Sequence, residues 1–268
     1  MLICPNCGKT LIREEKRCRC ADGHSFDIAA QGYVNLLIKH SANPGDDSGS
    51  IASRDAFLKK GYYQPLAEAI RETVNENMSA GQSFLDAGCG TGYYLSFLKD
   101  LPLESYATDI AKKAVARCAK ANPQAFCFVG NVFHLPFEDH SLDGLMSVFT
   151  PYSAQEFARV MRPAGHLIAV TPGREHLYQL KEIAYDNPYY NEETGYQLED
   201  FRLISQKNVR YEIHLKTSED IGNLWRMMPY YHTTSRQGNE RLLAMNEADT
   251  TVDFLLQLFE RKNENEQD

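Results

Sequence analysis

Phe84 to Tyr94 reads FLDAGCGTGYY, an apolar run closing on Asp86 and followed by Gly88, Gly90 and Gly92 at alternate positions. Glycine has no Cβ to hold a ligand off the backbone, and it accepts the positive φ that a tight strand-to-helix turn demands. Such a loop suits a polar ligand bound by main-chain groups. Dinucleotide-binding loops use G-x-G-x-x-G, whereas this one is G-x-G-x-G with an acid two residues before the first glycine, which argues against a nicotinamide or flavin enzyme. A second apolar run, SYATDI at Ser105 to Ile110, ends in Asp109, where a neighbouring parallel strand would end after one intervening helix. A carboxylate there can accept both hydrogen bonds of a ribose diol. Taken singly, the loop could be a structural corner and the acid a helix cap. Together they favour a nucleoside-bearing ligand.

The second constellation is a cysteine cluster, since four of the seven cysteines lie in the first twenty residues. Cys4-Pro5-Asn6-Cys7 sets two thiolates on one knuckle, and Cys20 with His24 is the natural second pair, giving Cys3His ligation suited to Zn²⁺. Cys18, two residues from Cys20, is a rival ligand. A segment this short lacks a core and needs a staple, so metal is preferred over free thiols. A filled four-ligand site leaves no position for water, which makes the ion structural.

These residues need elements to hold them. Residues 53–61 and 64–78 carry helical apolar spacing, with Pro65 in a first turn. Five apolar runs, at 83–87, 105–109, 125–129, 142–149 and 165–171, then alternate with helical stretches, which predicts a parallel sheet with helices on both faces. Phe201 to Leu215 and Ala248 to Glu260 alternate like strands and would close a seven-stranded sheet as an antiparallel pair, with a helix over 252–260 left open. Ser41 to Ser50 is rich in turn formers and reads as a linker or a substrate-side loop. The tail, NENEQD, is expected to be disordered.

The net charge of −8 speaks against a polyanionic partner for the chain as a whole. Residues 1–40 depart from it, with six Lys or Arg against four Asp or Glu, so any nucleic-acid contact should be local to that module. No stretch reaches the apolar length of a membrane span, and the N-terminus carries cysteines and charges where a signal peptide would be apolar. The expectation is a cytoplasmic protein with no membrane partner.

The loop and the second-strand acid resemble those of S-adenosylmethionine-dependent methyltransferases with a Rossmann-like core, where D-x-G-x-G-x-G cradles the methionine end and the next acid holds the ribose. GNVFHLPF, from Gly130 to Phe137, resembles the stretch that lines the adenine, with Asn131 where those proteins often have Asp. Together with C-x2-C…C-x3-H, GYVNLL at Gly32 to Leu37, PGD at Pro44 to Asp46, FLKKGYYQPL and TPGREHL, the chain resembles the bacterial 23S rRNA guanine-N1-methyltransferases over nearly its whole length. The resemblance implies a class I methyltransferase fold behind an N-terminal zinc-binding module, with Zn²⁺ on Cys4, Cys7, Cys20 and His24. It implies S-adenosylmethionine held by Tyr63, Asp86, Gly88, Gly90, Thr91, Gly92, Tyr93, Asp109, Asn131 and His176. It also implies a homodimer acting on an rRNA hairpin that lines the peptide exit tunnel. The corresponding organisation is a recognition module over 1–40, a linker over 41–52, a methyltransferase domain over 53–262 and a disordered tail over 263–268.

Residues that are missing narrow the chemistry. Pyrimidine C5 methylation needs a cysteine nucleophile, and no cysteine follows Cys127. Adenine-N6 enzymes of a related branch carry N-P-P-Y after the fourth strand, where this chain has Phe149-Thr150-Pro151-Tyr152. Guanine N1 carries a proton at neutral pH, so its methylation requires deprotonation or stabilisation of charge developing at O6. Arg174, Glu175 and His176 are candidates for that help, and no base is assigned. Tyr152, Tyr189, Tyr190, Tyr230 and Tyr231 are available to stack on splayed bases. The competing readings are a small-molecule, quinone-type methyltransferase and a non-catalytic zinc-containing RNA-binding protein.

Overall fold

The computed structural model describes residues 1–38, 47–192 and 195–263. The N-terminal module is a three-stranded antiparallel sheet of β1 (Ile12–Arg13), β2 (Arg17–Arg19) and β3 (Ser25–Asp27), followed by β4 (Val34–Asn35). Helices α1 (Ser48–Lys59) and α2 (Gln64–Asn77) lead into β5 (Ser83–Ala87), α3 (Tyr93–Ser96), β6 (Glu104–Asp109), α4 (Lys112–Ala121) and β7 (Phe126–Val129). The second half runs through β8 (Leu142–Val148), α5 (Ala154–Val160), β9 (Met161–Pro172), α6 (Tyr178–Ala184) and β10 (Phe201–Leu215). Helices α7 (Ser218–Arg226), α8 (Tyr230–Thr233) and α9 (Arg236–Leu243) precede the last strand, β11 (Ala248–Arg261).

The central sheet has the order β10-β11-β9-β8-β5-β6-β7-β4. Five neighbouring pairs, from β9-β8 to β7-β4, are parallel, and β11 pairs antiparallel with both β9 and β10. Parallel strands place their C-terminal ends on one edge, and the order reverses between β5 and β8, which opens a crevice there. The glycine loop leaves β5 at that point.

Eight strands are present where seven were expected. The eighth is β4, from the GYVNLL segment, paired with the exposed edge of β7 at Val34↔Phe128 and Asn35↔Val129. Leu36 N–H extends the ladder to the Val129 carbonyl at 3.0 Å. An uncovered edge strand presents unpaired N–H and C=O groups, and β4 satisfies them. The zinc module is thereby joined to the sheet, and Leu2, Cys18, Val34 and Leu36 share a core with Phe128 and Phe137.

The 252–260 segment is strand throughout. As an internal strand, β11 is covered on both faces, with Val252, Phe254, Leu256 and Leu258 buried in one core. Asp253 and Gln257 are buried polar groups made tolerable by hydrogen bonds: Asp253 Oδ2 accepts from Glu175 N–H at 3.0 Å, and Gln257 Oε1 from Tyr196 N–H at 2.7 Å.

Helix α1 begins at Ser48, not at residue 53, because the side chain of Asp47 caps the N–H groups of Gly49 and Ser50. Of the expected linker, 41–46 lie outside the described residues, as does the PGD motif, while 48–52 are helical. Residues 264–268 of the expected tail lie outside them too.

Candidate active site and metal centre

A cavity of about 830 Å³ opens where β5, β6, β8 and β9 end. Its wall includes Tyr63, Asp86, Gly88, Gly90, Thr91, Tyr93, Asp109, Asn131 and His176. Gly92, the remaining expected contact, does not line the cavity and packs against Asn122 and Cys118.

All three loop glycines have positive φ, but their surroundings differ. At Gly88 a Cβ would lie 2.2 Å from Thr150 Oγ1, and at Gly92 it would lie 2.6 Å from Cys118 Sγ. Those two are glycine because the loop is wedged between β8 and α4. A Cβ at Gly90 would meet nothing nearer than Arg54 Nη1 at 3.8 Å, so only this glycine keeps its surface open.

Asp109 is tied to the loop it faces. Its Oδ2 accepts from Gly90 N–H at 2.9 Å and its Oδ1 from Ala111 N–H at 2.8 Å. A carboxylate oxygen can accept more than one hydrogen bond, which suits this acid to a diol. Asp86 is buried beneath, and burial, then the charge of Asp109, pushes its carboxyl up to about 8. A cationic ligand would restore its ionised form. Asn131 Oδ1 accepts from Phe133 N–H at 3.0 Å, which turns the amide NH2 toward other partners.

The other end of the cavity is aromatic. Tyr63 is buried, edge-on to Phe57 and Phe254, with its hydroxyl 3.5 Å from His176 Nε2. His176 Nδ1 accepts from Asp253 N–H at 3.3 Å, and burial drives its pKa down to about 3. The imidazole is therefore neutral and supplies no cation at physiological pH. Arg174 lies over the Tyr190 ring at 4.9 Å, and Glu175 is ion-paired with Arg210, so neither reaches the cavity wall. Of the tyrosines available for stacking, Tyr152 and Tyr230 line the cavity. Tyr189, Tyr190 and Tyr231 do not.

Several lining residues escaped the sequence reading. Arg54 projects from α1 toward the glycine loop and donates to the Met227 carbonyl at 3.5 Å, a lone arginine on a helix with no motif to mark it. Tyr196 stacks on Tyr152 at 3.7 Å and hydrogen-bonds the Thr150 carbonyl at 2.9 Å. Phe149 sits at φ 55°, an uncommon conformation for an aromatic residue and a strain found at ligand-facing turns. Lys181, which does not line the cavity but packs against Tyr230, carried a visible signal, because Leu177, Leu180, Lys181 and Ala184 form an inward stripe with a cation in it.

The dimensions and donors fit S-adenosylmethionine. Besides the open Gly90 surface and Asp109, the wall holds Tyr93 and Thr171, whose buried hydroxyls have no hydrogen-bond partner among the described residues. A polar ligand would satisfy such groups.

The ligand atoms of Cys4, Cys7, Cys20 and His24 lie within 4.8 Å of one another. Cys7 Sγ is 3.6 Å from Cys20 Sγ, and His24 Nδ1 is 3.6 Å from Cys4 Sγ and 3.4 Å from Cys20 Sγ. A tetrahedron with Zn–S of about 2.3 Å and Zn–N of about 2.0 Å has edges of roughly 3.5–3.8 Å. The site fits a structural Zn²⁺. Cys18 is outside the group, since strand alternation turns it into the core between exposed Arg17 and Arg19.

Residues 2–41 match the family model described as RlmA, N-terminal, a zinc ribbon, and residues 85–169 match a methyltransferase domain. A Micromonospora griseorubida protein named "Putative 23S rRNA (guanine-N(1)-)-methyltransferase" is 34% identical over 94% of both chains. The Streptomyces fradiae 23S rRNA (guanine(748)-N(1))-methyltransferase is 38% identical over 67% of this chain and 66% of its own. Among solved structures, a complex of the Haloferax volcanii Trm112 methyltransferase activator with a methyltransferase matches 81% of this chain and 99% of the matched chain at a TM-score of 0.50 and 15% identity, a likeness of fold.

Proposed function

The chain belongs to the 23S rRNA (guanine-N(1)-)-methyltransferase family, and from that membership we propose that it methylates N1 of a guanine in a 23S rRNA hairpin lining the peptide exit tunnel, at a position of the 745 or 748 type. The observation that carries this reading is one cavity lined both by the glycine loop with its carboxylates and by aromatic residues, in a core joined through β4 to a metal-ligating, locally basic module.

When bound, S-adenosylmethionine supplies the methyl group. Asp109 and the Gly90 surface would hold its ribose and backbone-facing edge, Asn131 its adenine, and Asp86 would answer its positive charge. Thr91, Tyr93, Tyr63 and His176 would complete the cradle, with Gly92 shaping the loop from outside the wall. Transfer to N1 is an in-line displacement, so the protein contributes alignment and exclusion of water from a largely apolar wall. The N1 edge of guanine is reachable only when unpaired, which suits a hairpin loop whose bases stack on rings such as Tyr152. Residues 1–40 act as the recognition module and 53–262 as the transferring domain, in a homodimer working in the cytoplasm. No described helix is long and apolar enough to cross a membrane.

The test is incubation of unmethylated 23S rRNA with the protein and labelled donor, followed by digestion to nucleosides. The label should run as 1-methylguanosine; label in any other nucleoside contradicts the proposal.

A further inference from the structure

Lys181 of α6 is buried, yet it has no carboxylate partner among the described residues. Its Nζ lies over the rings of Tyr189 at 4.5 Å and Tyr230 at 4.4 Å. It donates to the Tyr189 carbonyl at 3.5 Å and, at close range, to Asn191 Oδ1. Burial lowers its pKa to about 8, so it remains mainly an ammonium at neutral pH.

An ammonium only donates, so the Asn191 atom facing it has to be the amide oxygen. The amide nitrogen is held from the opposite side, donating to the carbonyls of Gly173 at 2.9 Å and His176 at 3.4 Å. With the amide fixed at both ends, polarity passes to the next residue. The Tyr230 hydroxyl lies 2.8 Å from the same Oδ1 and must direct its hydrogen there. Its oxygen is then an acceptor, and Tyr230 belongs to the wall of the cavity together with Tyr63 and His176.

We propose that Tyr230 selects guanine by accepting a hydrogen bond from the 2-amino group of the base, with Lys181 and Asn191 as positioning residues that keep the hydroxyl in this polarity. The inference rests on the guanine-N1 reading above. N1 itself is excluded as the partner, because an acceptor in line with N1–H would stand where the methyl group must enter. The neighbouring 2-amino group is the remaining donor on that edge. Adenine carries only C–H at this position and an acceptor at N1, so it would leave the phenol oxygen unpaired. Sites built to hydrogen-bond a substrate group reject analogues that lack it.

The test uses synthetic hairpins bearing guanine or inosine, which lacks only the 2-amino group, at the methylated position. Single-turnover rates are measured for the unaltered protein, Tyr230→Phe and Lys181→Met, with calorimetric S-adenosylmethionine affinity as the check on folding. The unaltered protein should prefer guanine by about five- to tenfold. Tyr230→Phe should slow guanine to the inosine rate and leave inosine unchanged, and Lys181→Met should erode the same preference from behind, both with donor affinity retained. Equal slowing on both hairpins, or a preference that survives Tyr230→Phe, overturns the assignment. Failure of the unaltered protein to methylate either hairpin contradicts the guanine-N1 reading itself, and this assignment with it.

Discussion

The Gly90 N–H donates to Oδ2 of Asp109 at 2.9 Å, so the acid ending β6 fixes the open glycine of the loop leaving β5. Two features recognised separately along the chain are one device in space. A ligand seated on Gly90 would meet a carboxylate that also sets the position of its floor.

Gly88 and Gly90 should therefore fail differently. Gly88→Ala combines left-handed strain with a collision against Thr150, and we expect a loss of at least about 2 kcal/mol in stability by denaturant unfolding. Gly90→Ala meets open space, so its stability loss should stay near about 1 kcal/mol while calorimetric donor affinity falls more than about tenfold. Equal effects of the two on affinity and stability would contradict this division.

Asp86 should make stability depend on pH. Its folded pKa of about 8 lies above the unfolded value of about 4, so the folded state binds the extra proton between them. Its contribution is full below about pH 4, declines as pH rises, and levels off above about pH 8. Asp86→Asn should flatten that slope. Donor affinity of the unaltered protein should rise toward pH 8, because a cationic ligand favours the ionised carboxyl, and Asp86→Asn should remove the rise.

His176 is held neutral by burial, with a pKa near 3. The pH–rate profile should carry no limb near 6.5 assignable to it, and His176→Gln should leave the profile's shape intact while lowering the rate. A limb near 6.5 that disappears in His176→Gln would make the histidine a titrating catalyst after all.

The metal ligands divide Cys18 from Cys20. Cys20→Ser should lose the bound zinc measured by elemental analysis and lose rRNA methylation, whereas Cys18→Ser should retain one equivalent of metal. Both should keep donor affinity within about twofold, since the ligand group is separate from the cavity wall. Metal retained in Cys20→Ser and lost in Cys18→Ser would reverse the assignment.

Much of the site was legible because its constraints are local. Asp86, the glycine spacing and Asp109 lie at the ends of short apolar runs, and the cysteine knuckle is contiguous in sequence. The eighth strand was not legible. Val34–Asn35 is two residues long and becomes a strand only by completing the edge of β7, a partner about ninety residues away. At the aromatic end Tyr63, Tyr152, His176 and Tyr230 were legible as candidates, but Tyr196 was not: it reaches the cavity from a segment after β9 and stacks on Tyr152 with no spacing to relate the two. Lys181 carried a visible signal, a cation inside an apolar stripe, but its partners Asn191 and Tyr230 meet it only in the fold.

The most direct measurement is primer extension on 23S rRNA from a strain lacking this protein, from its parent, and from the deletion strain supplied with the Asp109→Ala variant. N1-methylguanine blocks Watson–Crick pairing and arrests reverse transcriptase. An arrest one nucleotide before a hairpin guanine is expected in the parent alone, absent from the deletion and the variant. Identical arrests in parent and deletion would contradict it.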